Sequence, residues 1–185
     1  IVHRLDKDTS GLMVVAKTEP VLAALSARFA ARALERRYIA LCWGLPAPAA
    51  GEIEAAIGRD PRDRKRMVVR PPATGKPALT RYRTMRVFHG AATLLECQLA
   101  TGRTHQIRVH LASRGHPLVG DPVYLRRLPA AARLVPEPAR QVLLDFPRQA
   151  LHAAVLGFEH PVTGQALRFE TPPPADLKAL LATLE

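Results

Sequence analysis

Apolar and polar residues follow one another along the first part of the chain with the periods of strands and helices. Residues 12–17 form an apolar run typical of a buried strand. Thr18 follows as a candidate N-cap, and apolar residues at helical spacing predict a helix from there to about Arg36. The apolar face of this helix comprises Val21, Leu22, Leu25, Phe29 and Ala33. Residues 38–43 are again mostly apolar, and they predict a strand that a proline-rich turn ends.

The middle of the chain predicts strands on either side of a highly charged segment. Residues 51–57 indicate a weak strand, whereas residues 80–88 and 93–99 predict two paired strands joined by a tight turn. Residues 59–70, called the arm below, hold the densest charge in the chain. We expect the arm to be an exposed loop or an extended hairpin, because a run of charges usually lies in solvent.

The last part of the chain predicts two further helices and a hairpin. A short helix over residues 104–113 is ended by Gly115, and residues 125–148 form a long insertion or loop with room for a helical turn. Residues 151–158 and 166–170 predict a hairpin. A C-terminal helix carries apolar residues at helical spacing, namely Leu177, Leu180, Leu181 and Leu184.

The order of these elements predicts the fold class. Strands occur in adjacent pairs and not in strict alternation with helices, which favours antiparallel over parallel pairing. We therefore predict an α/β protein of the α+β kind, with a mixed, largely antiparallel sheet and flanking helices. The 185 residues are enough for one domain with a substantial core, and we assign residues 1–185 to it.

The composition indicates the kind of partner. Apolar residues make up 48% of the chain, as in folded proteins, and 27 Lys and Arg against 16 Asp and Glu give a net charge of +11. Such a surplus favours a polyanion such as nucleic acid. We expect no membrane partner, because we find no long apolar span, and a cytoplasmic location, because we find no signal segment. We also expect the protein to be a monomer. Cys42 and Cys97 lie in apolar runs and are expected to be buried thiols.

The strongest candidate for chemistry is a carboxylate near the start of the chain. Residues 3–11 read H-R-L-D-K-D-T-S-G, so that Asp6 sits in a polar turn between Arg4 and Lys7. The plain alternative is a turn aspartate that hydrogen-bonds its own backbone. A glycosidase pair of Asp6 and Asp8 is disfavoured, because two carboxylates two residues apart in a turn cannot flank a sugar.

A second segment, residues 102–111, reads G-R-T-H-Q-I-R-V-H-L. An arginine beside a carboxylate favours its ionised form and fixes its orientation, so Arg108 is a candidate partner for Asp6. The alternative is a surface arginine or a structural ion pair. His105 and His110 are five residues apart and do not share a helix face, so we predict no metal site. Gln106 and His110 do share a helix face, which fits a hydrogen-bonding or RNA-contacting role.

Both segments resemble those of the RluA/RluD-type RNA pseudouridine synthases. The resemblance implies that Asp6 is the catalytic nucleophile and that Arg108 pairs with it. Residues 36–40, R-R-Y-I-A, are similar to a further segment of that family. The similarity implies that Tyr38 stacks on the target uracil and takes part in removing the proton from its C5. The alternative for Tyr38 is burial in the core, the commonest fate of a strand tyrosine.

The same resemblance implies which residues touch RNA. Arg4 is expected to enter the RNA stack beside the target base, or to contact a phosphate. The arm is similar to the family's charged segment, although Asp60 stands where histidine is common there. Segments 118–124 and 148–153 also match, and are expected to shape the pocket walls. The full set of expected RNA contacts is Arg4, Arg62, Arg64, Lys65, Arg66, Arg103, His105 and Gln106.

The implied activity is isomerisation of specific uridines to pseudouridine in structured RNA. Ribosomal RNA is the first candidate substrate and transfer RNA the second. It requires no cofactor and no metal, and the chain has no phosphate-binding loop of the nucleotide-dependent enzymes. The family places further strands before the first motif, so we expect a catalytic domain that lacks its N-terminal part. Two alternatives remain: an RNA-binding relative without catalysis, and a basic DNA-binding protein, for which no recognition-helix motif is found.

Overall fold

The computed structural model describes residues 1–31 and 34–185. The strands are β1 (Ser10–Gly11), β2 (Glu35–Trp43), β3 (Ala50–Glu54), β4 (Ile57–Arg59), β5 (Met67–Val69), β6 (Leu79–Phe88), β7 (Ala92–Leu99), β8 (Leu151–Glu159) and β9 (Ala166–Glu170). The helices are α1 (Glu19–Ala30), α2 (Gln106–Ser113), α3 (Ala139–Leu144) and α4 (Ala175–Thr183), with a 3₁₀ helix at Ala130–Leu134. None of these helices, in the part of the chain that is described, is long and apolar enough to cross a membrane.

The described strands form one large sheet and one small one. The large sheet has seven strands in the order β1-β8-β2-β7-β6-β3, and β9 pairs with β8 beside β1. All pairs in it are antiparallel except β1 with β8. The small sheet is the antiparallel pair β4 and β5, which forms the base of the arm. The predicted mixed, largely antiparallel sheet with flanking helices is confirmed.

The core lies on both faces of the large sheet because β2 is buried on both sides. Leu41 and Trp43 point into a cluster with α4 and the segment of the 3₁₀ helix and α3. Tyr38, Ala40 and Cys42 alternate with them and pack into a second cluster beneath α2. This period of two is the geometry of a strand, in which successive side chains point to opposite faces. Residues 125–148, predicted as a loop with a helical turn, thus cover one face, and α2 covers the other.

Two boundaries predicted from the sequence are wrong. Residues 12–17 form no strand, and Met13 and Val15 are 45% and 57% exposed, because β9 takes the edge of β8 from Val155 onward. Helix α1 ends at Ala30 and not near Arg36. Residue 36 belongs to β2, whose pairing with β8 begins at Glu35 opposite Gly157. The predicted helix position Ala33 lies outside the described residues.

Candidate active site

Asp6 lies in a turn that contacts with the neighbouring segment hold in place. The Thr9 amide donates to the Asp6 carbonyl over 3.0 Å, and Gln149 Nε2 donates to the Lys7 carbonyl over 2.6 Å and to Thr9 Oγ1 over 3.0 Å. Gly11 has a φ of +115°, and a Cβ there would lie 2.2 Å from the backbone oxygen of Ala153. Only glycine therefore allows β1 to approach β8 this closely.

Helix α2 begins in a buried polar clamp built on Gln106. Its Oε1 accepts hydrogen bonds from Thr101 Oγ1 (2.7 Å) and the Arg103 amide (2.9 Å), and its Nε2 donates to the Leu79 carbonyl (2.9 Å) and to Thr80 Oγ1 (3.1 Å). The residue is 3% exposed. Gln106 also lines the cavity, but both polar atoms of its amide are bound within the protein, so its predicted contact with RNA stays a prediction.

Arg108, two residues after Gln106 on α2, contacts two carboxylates. Arg108 Nη1 lies 3.3 Å from Asp6 Oδ2, while its Nε and Nη2 donate to the two oxygens of Asp121 over 2.7 and 2.9 Å. Asp121 Oδ1 also accepts from the amides of Val123 and Tyr124. Arg108 is 4% exposed. The predicted ion pair of Asp6 and Arg108 is confirmed, and it lies over a buried bidentate pair that fixes the guanidinium.

Asp6 and Tyr38 line the same cavity, which has a volume of about 420 Å³. Tyr38 is 8% exposed, and burial raises the pKa of its phenol to about 12, with Asp6 adding to the rise and Arg36 opposing it. The phenol is thus neutral near neutral pH. Tyr38 packs in the core, as one interpretation of the sequence has it, and it also lines the cavity, while its contact with uracil stays a prediction.

The other predicted contacts divide into a cavity set and an arm set. Arg4, Arg103 and His105 line the cavity: Arg4 is exposed, Arg103 Nε donates to the Pro77 carbonyl over 3.0 Å, and His105 Nδ1 lies 2.8 Å from the Tyr124 hydroxyl. Burial is the main cause that lowers the pKa of His105. His105 has a φ of +56°, a left-handed conformation at the start of α2.

The arm is a hairpin, which was one of the two forms predicted for it. Arg62, Arg64 and Lys65 are exposed at its tip and lie outside the cavity wall. Arg66 folds back instead, with its Nη1 3.5 Å from Asp60 and its guanidinium carbon 5.6 Å from the centre of the Tyr124 ring. The arm therefore presents three exposed cations at its tip, whereas Arg66 attaches it to the body of the domain.

Sequence reasoning did not single out three residues that build this site. Asp121 fixes Arg108, Gln149 fixes the turn of Asp6, and Arg36 lies in the cavity wall. The available signal was the match of segments 118–124 and 148–153, which were assigned to pocket walls in general. Among residues 1–31 and 34–185, no group of three His, Cys, Asp or Glu side chains is placed to hold a metal ion.

Comparison with known proteins agrees with this geometry. The sequence model of the family described as RNA pseudouridylate synthase matches residues 1–113, which include Asp6, Tyr38 and Arg108. The chain belongs to the RNA pseudouridylate synthase family. The large sheet with its flanking helices is accordingly the pseudouridine synthase fold, also seen in the human RNA Pseudouridylate Synthase Domain Containing 4. That structure has a TM-score of 0.78 and 26% identity, over 99% of this chain and 74% of that chain.

Bacterial relatives of this pseudouridylate synthase domain are closer in sequence. It is 46% identical over 184 residues to the Ribosomal large subunit pseudouridine synthase D of Zymomonas mobilis, and 49% identical over 185 residues to the protein of the same name from Nitrosomonas europaea. These matches cover 100% of this chain but only 56% and 51% of the relatives. The chain thus spans about half the length of the curated relatives it matches.

Proposed function

We propose that this pseudouridylate synthase domain converts uridines in RNA to pseudouridine, and that its substrate is RNA of the large ribosomal subunit. The observation that carries the proposal is the Asp6 carboxylate, held by Arg108 at the wall of a cavity that also contains Tyr38. The names of the bacterial relatives support the ribosomal substrate. A pure RNA-binding relative needs charge and shape only, and has no use for a carboxylate fixed in this way.

The proposed reaction is an exchange of one glycosidic bond for another. The uridine is first flipped out of the RNA stack, because its glycosidic bond cannot be reached inside it. An Asp6 oxygen attacks C1′, the C1′–N1 bond breaks, and uracil leaves with the electron pair. The base turns within the cavity, C5 attacks C1′, and the ester bond to Asp6 breaks, which returns the carboxylate. The C5 proton is then lost and N1 gains a proton, so no atom is added or removed overall.

The neighbouring side chains support these reaction steps by holding the reacting groups in position. Arg108 orients the Asp6 oxygen and keeps it charged beside a fixed guanidinium. We assign Tyr38 to stacking on the uracil, since a phenol with a pKa of about 12 is protonated at neutral pH and is a weak base in the resting site. Arg4, Arg103 and His105 contact the RNA at the cavity, and the cations of the arm contact its phosphates.

The surplus charge supports the same proposal. A net charge of +11 attracts RNA and keeps copies of the domain apart, which fits a monomer working on a polyanion. We also propose a cytoplasmic location, and no helix in the described part of the chain is long and apolar enough to cross a membrane. The proposal leaves transfer RNA as the second candidate substrate.

The test is a map of pseudouridines in large-subunit ribosomal RNA and transfer RNA from cells with and without the gene. We expect one or more pseudouridines to be missing from the ribosomal RNA of the deletion strain and to return with the wild-type gene. Loss from transfer RNA alone would overturn the ribosomal substrate. Identical maps would favour the alternative, a relative that binds RNA without catalysis.

The arm provides a separate prediction on affinity. Replacing Arg62, Arg64 and Lys65 with Gln is expected to weaken RNA binding and to lower the slope of log affinity against log salt. Each lost phosphate contact lowers that slope by roughly 0.7 for single strands, so up to about 2 in all. Fluorescence anisotropy with a short RNA at several salt concentrations measures it.

A matched control removes the same charge elsewhere. Arg127, Arg133 and Lys178 are exposed and lie outside the arm, and Arg133 and Lys178 directly follow the buried core residues Ala132 and Leu177. Replacing these three with Gln is expected to change the slope by less than half as much as the arm variant. Equal slopes for the two triple variants would show that the arm acts only through net charge and makes no contacts of its own.

A further inference from the structure

Arg36 is the most deeply buried of the arginines described in the cavity wall. It projects from β2, its exposed fraction is 7%, and it lines the same cavity as Asp6 and Tyr38. Its Nη2 lies 3.5 Å from the Leu99 carbonyl, at the limit of a hydrogen bond. Its Nε is buried and has no hydrogen-bond partner among the described residues. A guanidinium has five donors, so most of this donor capacity is unused.

No carboxylate among the described residues forms an ion pair with Arg36. Arg36 takes part in none of the ion pairs found within residues 1–31 and 34–185. Asp6 is the only carboxylate among the described residues of the cavity wall, and it is paired with Arg108. Burial of an unpaired cation is costly, so this arrangement favours the binding of an anion from outside.

The surroundings hold the guanidinium in place and carry its charge into the cavity. Its central carbon lies 5.7 Å from the centre of the Phe29 ring, and a Cβ on Gly102 would lie 2.6 Å from its Nη1. Burial and, to a smaller extent, the positive charge of Arg36 lower the pKa of the neighbouring His3 to about 4. His3 is therefore neutral at neutral pH. The wall is therefore cationic at this point and built to a fixed shape.

We propose that Arg36 binds a phosphate group of the RNA, on the backbone next to the flipped nucleotide. The inference rests on the proposed function and names the part of the substrate that this residue recognises. Phosphodiesters are the only anions in RNA, and the planar fork of arginine matches two phosphate oxygens. Arg36 then acts as a positioning residue, since a bound phosphate fixes the sugar whose C1′ faces Asp6.

The test measures binding without turnover. The probes are uridine, uridine 5′-monophosphate, uridine 3′-monophosphate and inorganic phosphate, titrated into the whole chain and followed by NMR of the arginine Nε–H resonances. The Arg36 resonance is identified by its absence in Arg36→Lys. We expect inorganic phosphate and at least one monophosphate to shift it, and that monophosphate to bind about tenfold or more tightly than uridine, the range for hydrogen bonds to charged groups.

Two variants separate the contact from general charge. Arg36→Gln is expected to abolish the preference for the monophosphate over uridine. Arg37→Gln, at the next position of β2, removes an equal charge from a partly exposed side chain that is paired with Glu35 and Glu96. It is expected to keep the preference. Gly102→Ala adds a methyl group against Nη1 with no change of charge, and is expected to reduce it.

The outcomes are independent of catalysis. An Arg36 resonance that inorganic phosphate and both monophosphates leave unmoved, or a monophosphate preference that survives in Arg36→Gln, would overturn the inference. If phosphate shifts Arg36 while the pseudouridine maps of the two strains are identical, the phosphate site stands and the proposed reaction falls. If the maps differ while Arg36 does not respond, the reaction stands and the phosphate site falls.

Discussion

Asp6→Asn is expected to lower pseudouridine formation by at least about 10⁴-fold, the order of loss when a catalytic nucleophile or its partner is removed. The amide has nearly the shape of the carboxylate but cannot form the ester bond at C1′. Release of tritium from RNA that carries tritium at uridine C5 measures the reaction, because the C5 proton is lost once in each turnover. Activity near the wild-type value would refute Asp6 as the nucleophile.

Asp8→Asn is the matched control, because it removes an equal charge from the same turn. Asp8 is exposed with a φ of +67°, a conformation that asparagine adopts easily. We expect its activity to lie within about threefold of wild type, since the side chain is absent from the cavity wall. RNA affinity is expected to be similar in both variants. A comparable loss of activity in Asp8→Asn would indicate that the turn as a whole, and not the Asp6 carboxylate, is being disrupted.

Arg108→Met is expected to lower the free energy of unfolding by about 3–5 kcal/mol, the usual cost of leaving one member of a buried ion pair alone. The residue left alone is Asp121, whose side chain has no exposed surface. Two backbone amides would still reach it, but no cation would. Urea unfolding followed by circular dichroism measures the change.

The double variant Arg108→Met with Asp121→Asn is the control for this explanation. It removes the lone charge while the Asn oxygen can still accept from the amides of Val123 and Tyr124. We expect it to recover part of the lost stability. Asp6→Asn alone is expected to have a small effect, because Arg108 keeps both bonds to Asp121. If Arg108→Met unfolds at the wild-type urea concentration, the buried pair contributes nothing to stability.

The sequence predicted the strands whose patterns are local. The strands over residues 38–43, 80–88 and 93–99 all form, because their apolar residues match the two faces of a buried sheet. The end of α1 and the run at residues 12–17 were wrong, because both depend on which strand occupies each edge of β8. Edge occupancy is a property of the whole sheet, and an apolar run alone does not reveal it.

The site was predictable to the extent that its residues lie in distinctive segments. Asp6 and Arg108 are 102 positions apart, and the resemblance of both segments to one family is what joined them. Asp121 is one of 16 acidic residues, and nothing in its local sequence distinguishes an arginine partner from solvent. The structural role of Gln106 was not predictable from its neighbours in the sequence, because it depends on contacts with residues 79, 80 and 101.

Arg108 contacts both Asp6 and Asp121, and this arrangement sets the net charge beside the reacting atoms during the proposed reaction. With Asp6 free, the group of Asp6, Asp121 and Arg108 carries two negative charges and one positive charge. When Asp6 becomes an ester, its charge passes to the departing uracil and the group is neutral. Without Asp121, the same step would leave a solitary buried cation that attracts the uracil anion away from C1′. The covalent state therefore leaves no net charge within this group of three residues.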